Sequence, residues 1–148
     1  MDVINHTKTL SLGAELYRQT CAQWHKQPRL VALREAWVAE TTEQAEREYG
    51  PHVMESHLFY YRLGGYNPAM EPWMSRVTSS SDVTLDILKQ DRFIIGSPAD
   101  CIRQIEQLQR QTGIDYLVLR FRHPSGPDHD RVRRAIRLFG EQVIPHFA

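Results

Sequence analysis

Hydrophobic periodicity in the first third of the chain predicts a helix followed by a strand. Apolar residues recur at near-helical spacing over residues 11–26, and the pattern stops before Pro28. The apolar run at residues 30–38 is short and rich in Val, Leu and Trp, which favours a buried strand over a helix.

A capping signal predicts where the next helix begins. Thr41 and Gln44 have the spacing of a capping box, so we expect a helix from Thr42. The pair Gly50-Pro51 interrupts the helical pattern, which predicts that this helix is bent or split there.

The same alternation returns further along the chain. A brief apolar run precedes Ser97, which is predicted to cap a helix that has Pro98 in its first turn and ends at Gly113. The next run, residues 114–121, has apolar residues on both alternating faces and is predicted to be a buried strand.

The last periodic segment predicts a helix that ends before Pro145, with Ser125 or Asp128 as its cap. Strands that alternate with helices in this way imply a parallel sheet with helical crossovers. Residues 66–92 contain a long stretch without period, and we expect them to form a long insertion.

Length and composition indicate the class of protein and the number of domains. The 148 residues, 41% hydrophobic and 24% charged, are typical of a globular protein, and we expect residues 1–148 to form one domain.

Charge and apolar runs limit the partners and the location that we expect. The number of Lys plus Arg residues equals the number of Asp plus Glu residues, so nucleic acid is not an expected partner. No apolar run is long enough to span a membrane. The absence of a secretion pattern, with only two cysteines, predicts a cytoplasmic location.

Three strings, taken in order, carry a resemblance to a known family. They are LREAWVAETTEQA, IIGSPADC before an amphipathic helix, and LRFRHPSGP followed by LFGEQVIP. Together they resemble the carboxyl-terminal part of luciferase-like flavin-dependent monooxygenases. The resemblance implies an α/β fold, with the chain forming the last strands and helices of a TIM-barrel-like (β/α) barrel, because a complete barrel needs about 250 residues.

The resemblance also implies a chemistry. Members of the family bind reduced FMN or a deazaflavin at the carboxyl ends of the strands, and the flavin activates oxygen or transfers hydride to a small organic substrate. We therefore expect a flavin-dependent oxidoreductase whose further strands come from self-association or a partner subunit. The alternatives are a non-catalytic remnant or assembly module that does not bind flavin alone, and a standalone anion-binding domain.

The loop after the last predicted strand holds the candidate site residues Arg120, Arg122 and His123. Guanidinium groups beside the amino end of a helix favour an anion such as a flavin phosphate, a sulfonate or a carboxylate. The structural alternative is that Arg120 pairs with a neighbouring carboxylate and the loop only turns the chain. The sequence assigns no catalytic residue and no metal site.

Three further residues have structural and functional interpretations. Arg34 and Glu35 lie on opposite faces of an otherwise apolar strand, so one of them is expected to face a polar group, and an ion pair with a neighbouring strand is favoured over contact with substrate. Cys101 lies in the first turn of a helix, but a buried structural thiol is the favoured interpretation.

Overall fold

The computed structural model describes residues 5–148, which form a three-stranded sheet flanked by helices. The helices in this range are α1 (Thr7–Gln23), α2 (Thr42–Arg62), α3 (Leu85–Leu88), α4 (Pro98–Thr112) and α5 (His129–Gln142). The strands are β1 (Val31–Val38), β2 (Phe93–Gly96) and β3 (Tyr116–Arg120).

All pairs of neighbouring strands are parallel, and the sheet order is β2-β1-β3. The middle strand, β1, is hydrogen-bonded on both edges, which explains why its sequence is a nearly continuous apolar run. In a barrel whose strands follow chain order, β3 would pair with β2. Here β3 instead pairs with the longer β1, over the five positions from Val31 to Glu35.

Alternate side chains of β1 point to opposite faces of the sheet, and different helices cover the two faces. On one face Trp37 stacks on Tyr49 of α2, with ring centroids 5.2 Å apart. On the other face Arg34 donates a hydrogen bond to the hydroxyl of Thr7, the first residue of α1, at 3.3 Å. Helix α4 packs beside α1 on this second face.

The predicted helix boundaries are largely confirmed. The Thr41 hydroxyl accepts a hydrogen bond from the Gln44 amide at 3.2 Å, and the Ser97 hydroxyl accepts one from the Asp100 amide at 3.3 Å. Of the two proposed caps for the last helix, Asp128 is the one observed.

One local prediction is wrong and another is wrong in part. Helix α2 is continuous rather than split at Pro51, because Tyr49 and Val53 on either side of the proline are both fully buried and hold the helix on the sheet. A bend at this position stays a prediction. Strand β3 is not a buried strand: Tyr116 is 62% exposed and Val118 is 50% exposed. The reason is that β3 forms an edge of the sheet, and α2 does not cover its amino-terminal half.

The segment between α2 and β2 is held against the core by a buried ion pair. It contains two short 3-10 turns, Pro72–Arg76 and Ser80–Asp82, and then helix α3. The guanidinium of Arg92 pairs with the carboxylate of Glu71, and both side chains are almost completely buried. The segment is therefore packed structure rather than an open loop.

Gly96, at the end of β2, is a position where the fold requires glycine. Its φ is +147°, and a Cβ there would lie 2.8 Å from the Cβ of Asp100 and 3.0 Å from the hydroxyl oxygen of Thr42. We predict that Gly96→Ala lowers the free energy of unfolding by about 2 kcal/mol or more. The matched control is Gly13→Ala in α1, where nothing lies within 4 Å of the added methyl group.

The control should raise stability by about 0.5–1 kcal/mol, because alanine favours a helix over glycine. Urea unfolding of the two variants measures both effects. Equal stability of the two variants would contradict the proposed geometry of this turn.

Candidate functional site

The carboxyl end of β3 lies beside Glu35 of β1, whose remaining residues up to Val38 pair with β2, and the chain leaves β1 and β3 toward opposite faces of the sheet. Helix α2 follows β1 and packs on the Trp37 face. Helix α5 follows β3 and packs on the other face, where Phe139 of α5, Ile105 of α4 and Leu119 of β3 line one cavity. Such a switch point is where open α/β sheets bind ligands, in the crevice outside the strand ends.

A crevice of about 370 Å³ opens at this position, between α2 and the loop that follows β3. Helix α2 contributes Ser56, Phe59 and Tyr60 to its walls, and the other wall includes Arg120 and His123. The volume lies at the small end of the range for ligand pockets, about 300–1,000 Å³.

Beneath the crevice, Glu35 of β1 is the centre of a buried polar network. Its side chain is 0% exposed. It accepts a hydrogen bond from Nε2 of His57 at 2.7 Å and another from the guanidinium of Arg120, its register partner on β3. Nε2 of His123 lies 3.4 Å from the same carboxylate.

These contacts set the charge states of the network. Burial by itself would raise the pKa of Glu35, but the hydrogen bond and charge of His57, with His123 and Arg120, hold that pKa below its ordinary value. Burial lowers the pKa of His123 to about 4, against the raising effect of the Glu35 carboxylate. At neutral pH the network therefore contains an ionised Glu35 and a neutral His123.

Two nitrogens at the crevice have no hydrogen-bond partner within residues 5–148. They are Nε of Arg120 and Nε2 of His123, and both atoms are buried. A buried donor without a partner costs about 1–3 kcal/mol, so an acceptor group bound in the crevice would be stabilised there.

The structure brings together two of the three predicted site residues. Arg120 and His123 both line the crevice, and Arg120 also makes the pair with a neighbouring carboxylate that the structural alternative predicted. Arg122 is exposed, and its Nε donates a hydrogen bond to the carbonyl of Pro127 at 3.3 Å, which holds the loop. A ligand-binding role for the three residues stays a prediction.

Sequence reasoning missed the contribution of α2. His57 is completely buried, and Ser56 lies 2.8 Å from Nδ1 of His123. Helical spacing was the signal that could have revealed His57. Tyr49, Val53 and His57 recur every four residues on one side of α2, and this side faces the strand that carries the isolated charge of Glu35.

Cys101 has the properties of a structural residue rather than a reactive one. It is buried, and burial raises the pKa of its thiol to about 12, which agrees with the buried structural thiol favoured from the sequence. Among residues 5–148 there is no group of three or more His, Cys, Asp or Glu side chains that would hold a metal ion. No helix in the same range is long and apolar enough to cross a membrane.

Comparison with known proteins shows similarity at the level of structure. Neither protein-family models nor curated protein sequences match this chain. The monooxygenase RslO1 of Streptomyces bottropensis superposes with a TM-score of 0.72 at 18% identity, over 99% of this chain and 40% of its own.

Two further solved structures are similar. The oxygenating constituent of 3,6-diketocamphane monooxygenase of Pseudomonas putida, solved with FMN, gives a TM-score of 0.72 at 19% identity, over 95% of this chain and 40% of its own. The coenzyme F420-dependent tetrahydromethanopterin reductase of Methanopyrus kandleri gives a TM-score of 0.66 at 19% identity. The match covers 97% of this chain and 43% of the reductase.

The chain thus spans about two fifths of the length of the solved structures it resembles. The predicted fold class is confirmed: three parallel strands flanked by helices match part of a TIM-barrel-like enzyme. The chain therefore has the fold of part of these monooxygenase and reductase structures, and its position at their carboxyl-terminal end stays a prediction.

The low pKa of His123 predicts a pH dependence of stability. In the unfolded chain this pKa returns to its ordinary 6.5, so between pH 6.5 and about 4 the unfolded state binds more protons than the folded state. Stability should therefore fall as pH drops through this window, by up to about 3 kcal/mol from His123 alone.

The measurement is the free energy of unfolding at several pH values for the unmodified chain, for His123→Gln, and for His129→Gln on the exposed start of α5. The slope over this window should be smaller in His123→Gln and unchanged in His129→Gln. Parallel pH curves for all three proteins would contradict the assignment.

Proposed function

We propose that this chain is part of a luciferase-like flavin-dependent oxidoreductase, a monooxygenase or a reductase, and that its crevice holds part of an FMN or deazaflavin molecule. The shared fold supports this proposal, together with the FMN and coenzyme F420 named for two of the similar structures. A cytoplasmic location agrees with two buried free thiols, Cys21 and Cys101.

The observation that carries the proposal is the unpartnered donor of Arg120 at the carboxyl end of β3. A flavin offers acceptor oxygens on its ring and on its phosphate, and the buried Nε–H of Arg120 is a donor that needs an acceptor. Phe59 and Tyr60 add aromatic surface on the facing helix. The Arg120 donor and the aromatic side chains therefore fit one end of a flavin.

Each residue then has a role in holding the group. Arg120 would bind an acceptor oxygen while Glu35 fixes its guanidinium. Arg122 adds positive charge on the loop that flanks the crevice. When bound, the flavin would supply the oxygen or hydride chemistry, and the protein would supply orientation and exclusion of water.

The remaining contacts would come from additional strands. The similar structures are about two and a half times as long as this chain, and the exposed apolar side chains of β3, Tyr116 and Val118, lie on an edge strand that favours pairing. We propose that a partner subunit or a second copy supplies those strands. The substrate would be a small organic molecule bound beside the flavin.

The test is a fluorescence titration with FMN, with and without a polypeptide carrying the earlier barrel strands. We predict that Arg120→Lys weakens FMN binding about tenfold or more, because lysine keeps a cation beside Glu35 but lacks the Nε donor. Arg133→Lys, a matched change on the exposed face of α5, should leave the affinity unchanged.

Equal affinity of the unmodified chain and Arg120→Lys would remove Arg120 from the flavin site. No FMN or deazaflavin binding, with or without the added strands, would contradict the proposed function and favour the non-catalytic remnant.

A further inference from the structure

A serine, a histidine and a carboxylate lie in series at the crevice. The hydroxyl oxygen of Ser56 lies 2.8 Å from Nδ1 of His123, and Nε2 of His123 lies 3.4 Å from Oε1 of Glu35. Ser56 itself is one of the residues that line the crevice.

The chemistry of the three groups favours one tautomer of His123. An ionised carboxylate only accepts, so we assign the imidazole proton to Nε2, which lies 3.4 Å from Glu35 and makes no hydrogen bond within residues 5–148. The other nitrogen, Nδ1, is then an acceptor, and the Ser56 hydroxyl donates to it. A hydroxyl that donates to a neutral imidazole, which in turn faces a buried carboxylate, is the arrangement that activates a serine nucleophile.

We infer that Ser56 is an activated nucleophile and that the crevice accepts a carboxylic ester. His123 is its general base and Glu35 orients His123. The inference rests on this geometry alone and does not depend on flavin binding.

The reaction is an acyl transfer with water as the second reactant. The Ser56 oxygen bonds to the ester carbonyl carbon while its proton passes to Nδ1 of His123. The carbon–oxygen bond to the alcohol then breaks, and the proton passes from His123 to the departing alcohol. Water cleaves the acyl-serine by the same proton path and releases the carboxylic acid.

Arg120 supplies the remaining requirement, a donor for the negative oxygen that forms on the carbonyl. Its Nε is buried, has no partner within residues 5–148, and belongs to a residue that lines the same crevice as Ser56. The hydrogen bond from His57 and the pair with Arg120 hold the Glu35 carboxylate in place, which leaves it as a fixed support for His123.

A second serine near a histidine at the crevice serves as a control for Ser56. Ser125, on the facing loop, lies 3.4 Å from Nδ1 of His52. Within the part of the chain that the structure describes, His52 makes no ion pair with a carboxylate, in contrast to His123. If the carboxylate-supported series matters, Ser56 should react and Ser125 should not.

The experiment treats the full 148-residue chain with a fluorophosphonate probe and locates the adduct by mass spectrometry. The serine oxygen bonds to phosphorus, fluoride leaves and His123 takes the proton. We expect one adduct, on Ser56, which is lost in Ser56→Ala and forms about a hundredfold more slowly in His123→Gln. Ser125→Ala should label within twofold of the unmodified chain, and turnover of p-nitrophenyl acetate should follow the same order.

Circular dichroism of each variant shows whether it is folded, and the unmodified chain in urea shows whether labelling needs the folded geometry. An adduct on another residue, labelling of Ser56→Ala at the original rate, or equal labelling in urea would each overturn the inference. FMN titration of the same samples is a separate readout, so loss of one proposal leaves the other intact.

Discussion

The buried carboxylate of Glu35 is the constraint on which the site depends. A charge in the middle strand of a sheet is stable only when cationic and hydrogen-bonding groups reach it, and here those groups come from three other elements. His57 reaches it from α2, Arg120 from β3 and His123 from the following loop. One charge thereby fixes where α2 and the β3 loop lie relative to each other, and the crevice forms between them.

Strand order explains why this charge is near a ligand-sized space. Because β3 pairs with β1, the end of β3 lies beside Glu35, and the helices that follow the two strands depart to opposite faces. The crevice lies between α2 and the loop that follows β3. The hydroxyl of Tyr49 reinforces the arrangement by donating to the carbonyl of Arg120 at 3.0 Å, which fixes the last residue of the strand.

Local signals predicted the elements well, because capping residues and prolines act over a few positions. Thr41, Ser97 and Gly113 mark helix ends that the structure shows. The exposure of β3 and the continuity of α2 through Pro51 depend on which elements cover them, and that is not encoded in a short window. The sequence likewise pointed to Arg120 and His123, but the participation of Ser56 and His57 emerges only when α2 packs on β1.

The central claim is that the Glu35 network presents Nε of Arg120 to a ligand at the strand ends. Nuclear magnetic resonance of the arginine Nε–H groups tests it directly, in whichever assembly binds FMN. We expect the Arg120 resonance to shift on saturation with FMN and the Arg133 resonance to stay in place. An Arg120 resonance that does not move while FMN is bound would contradict it.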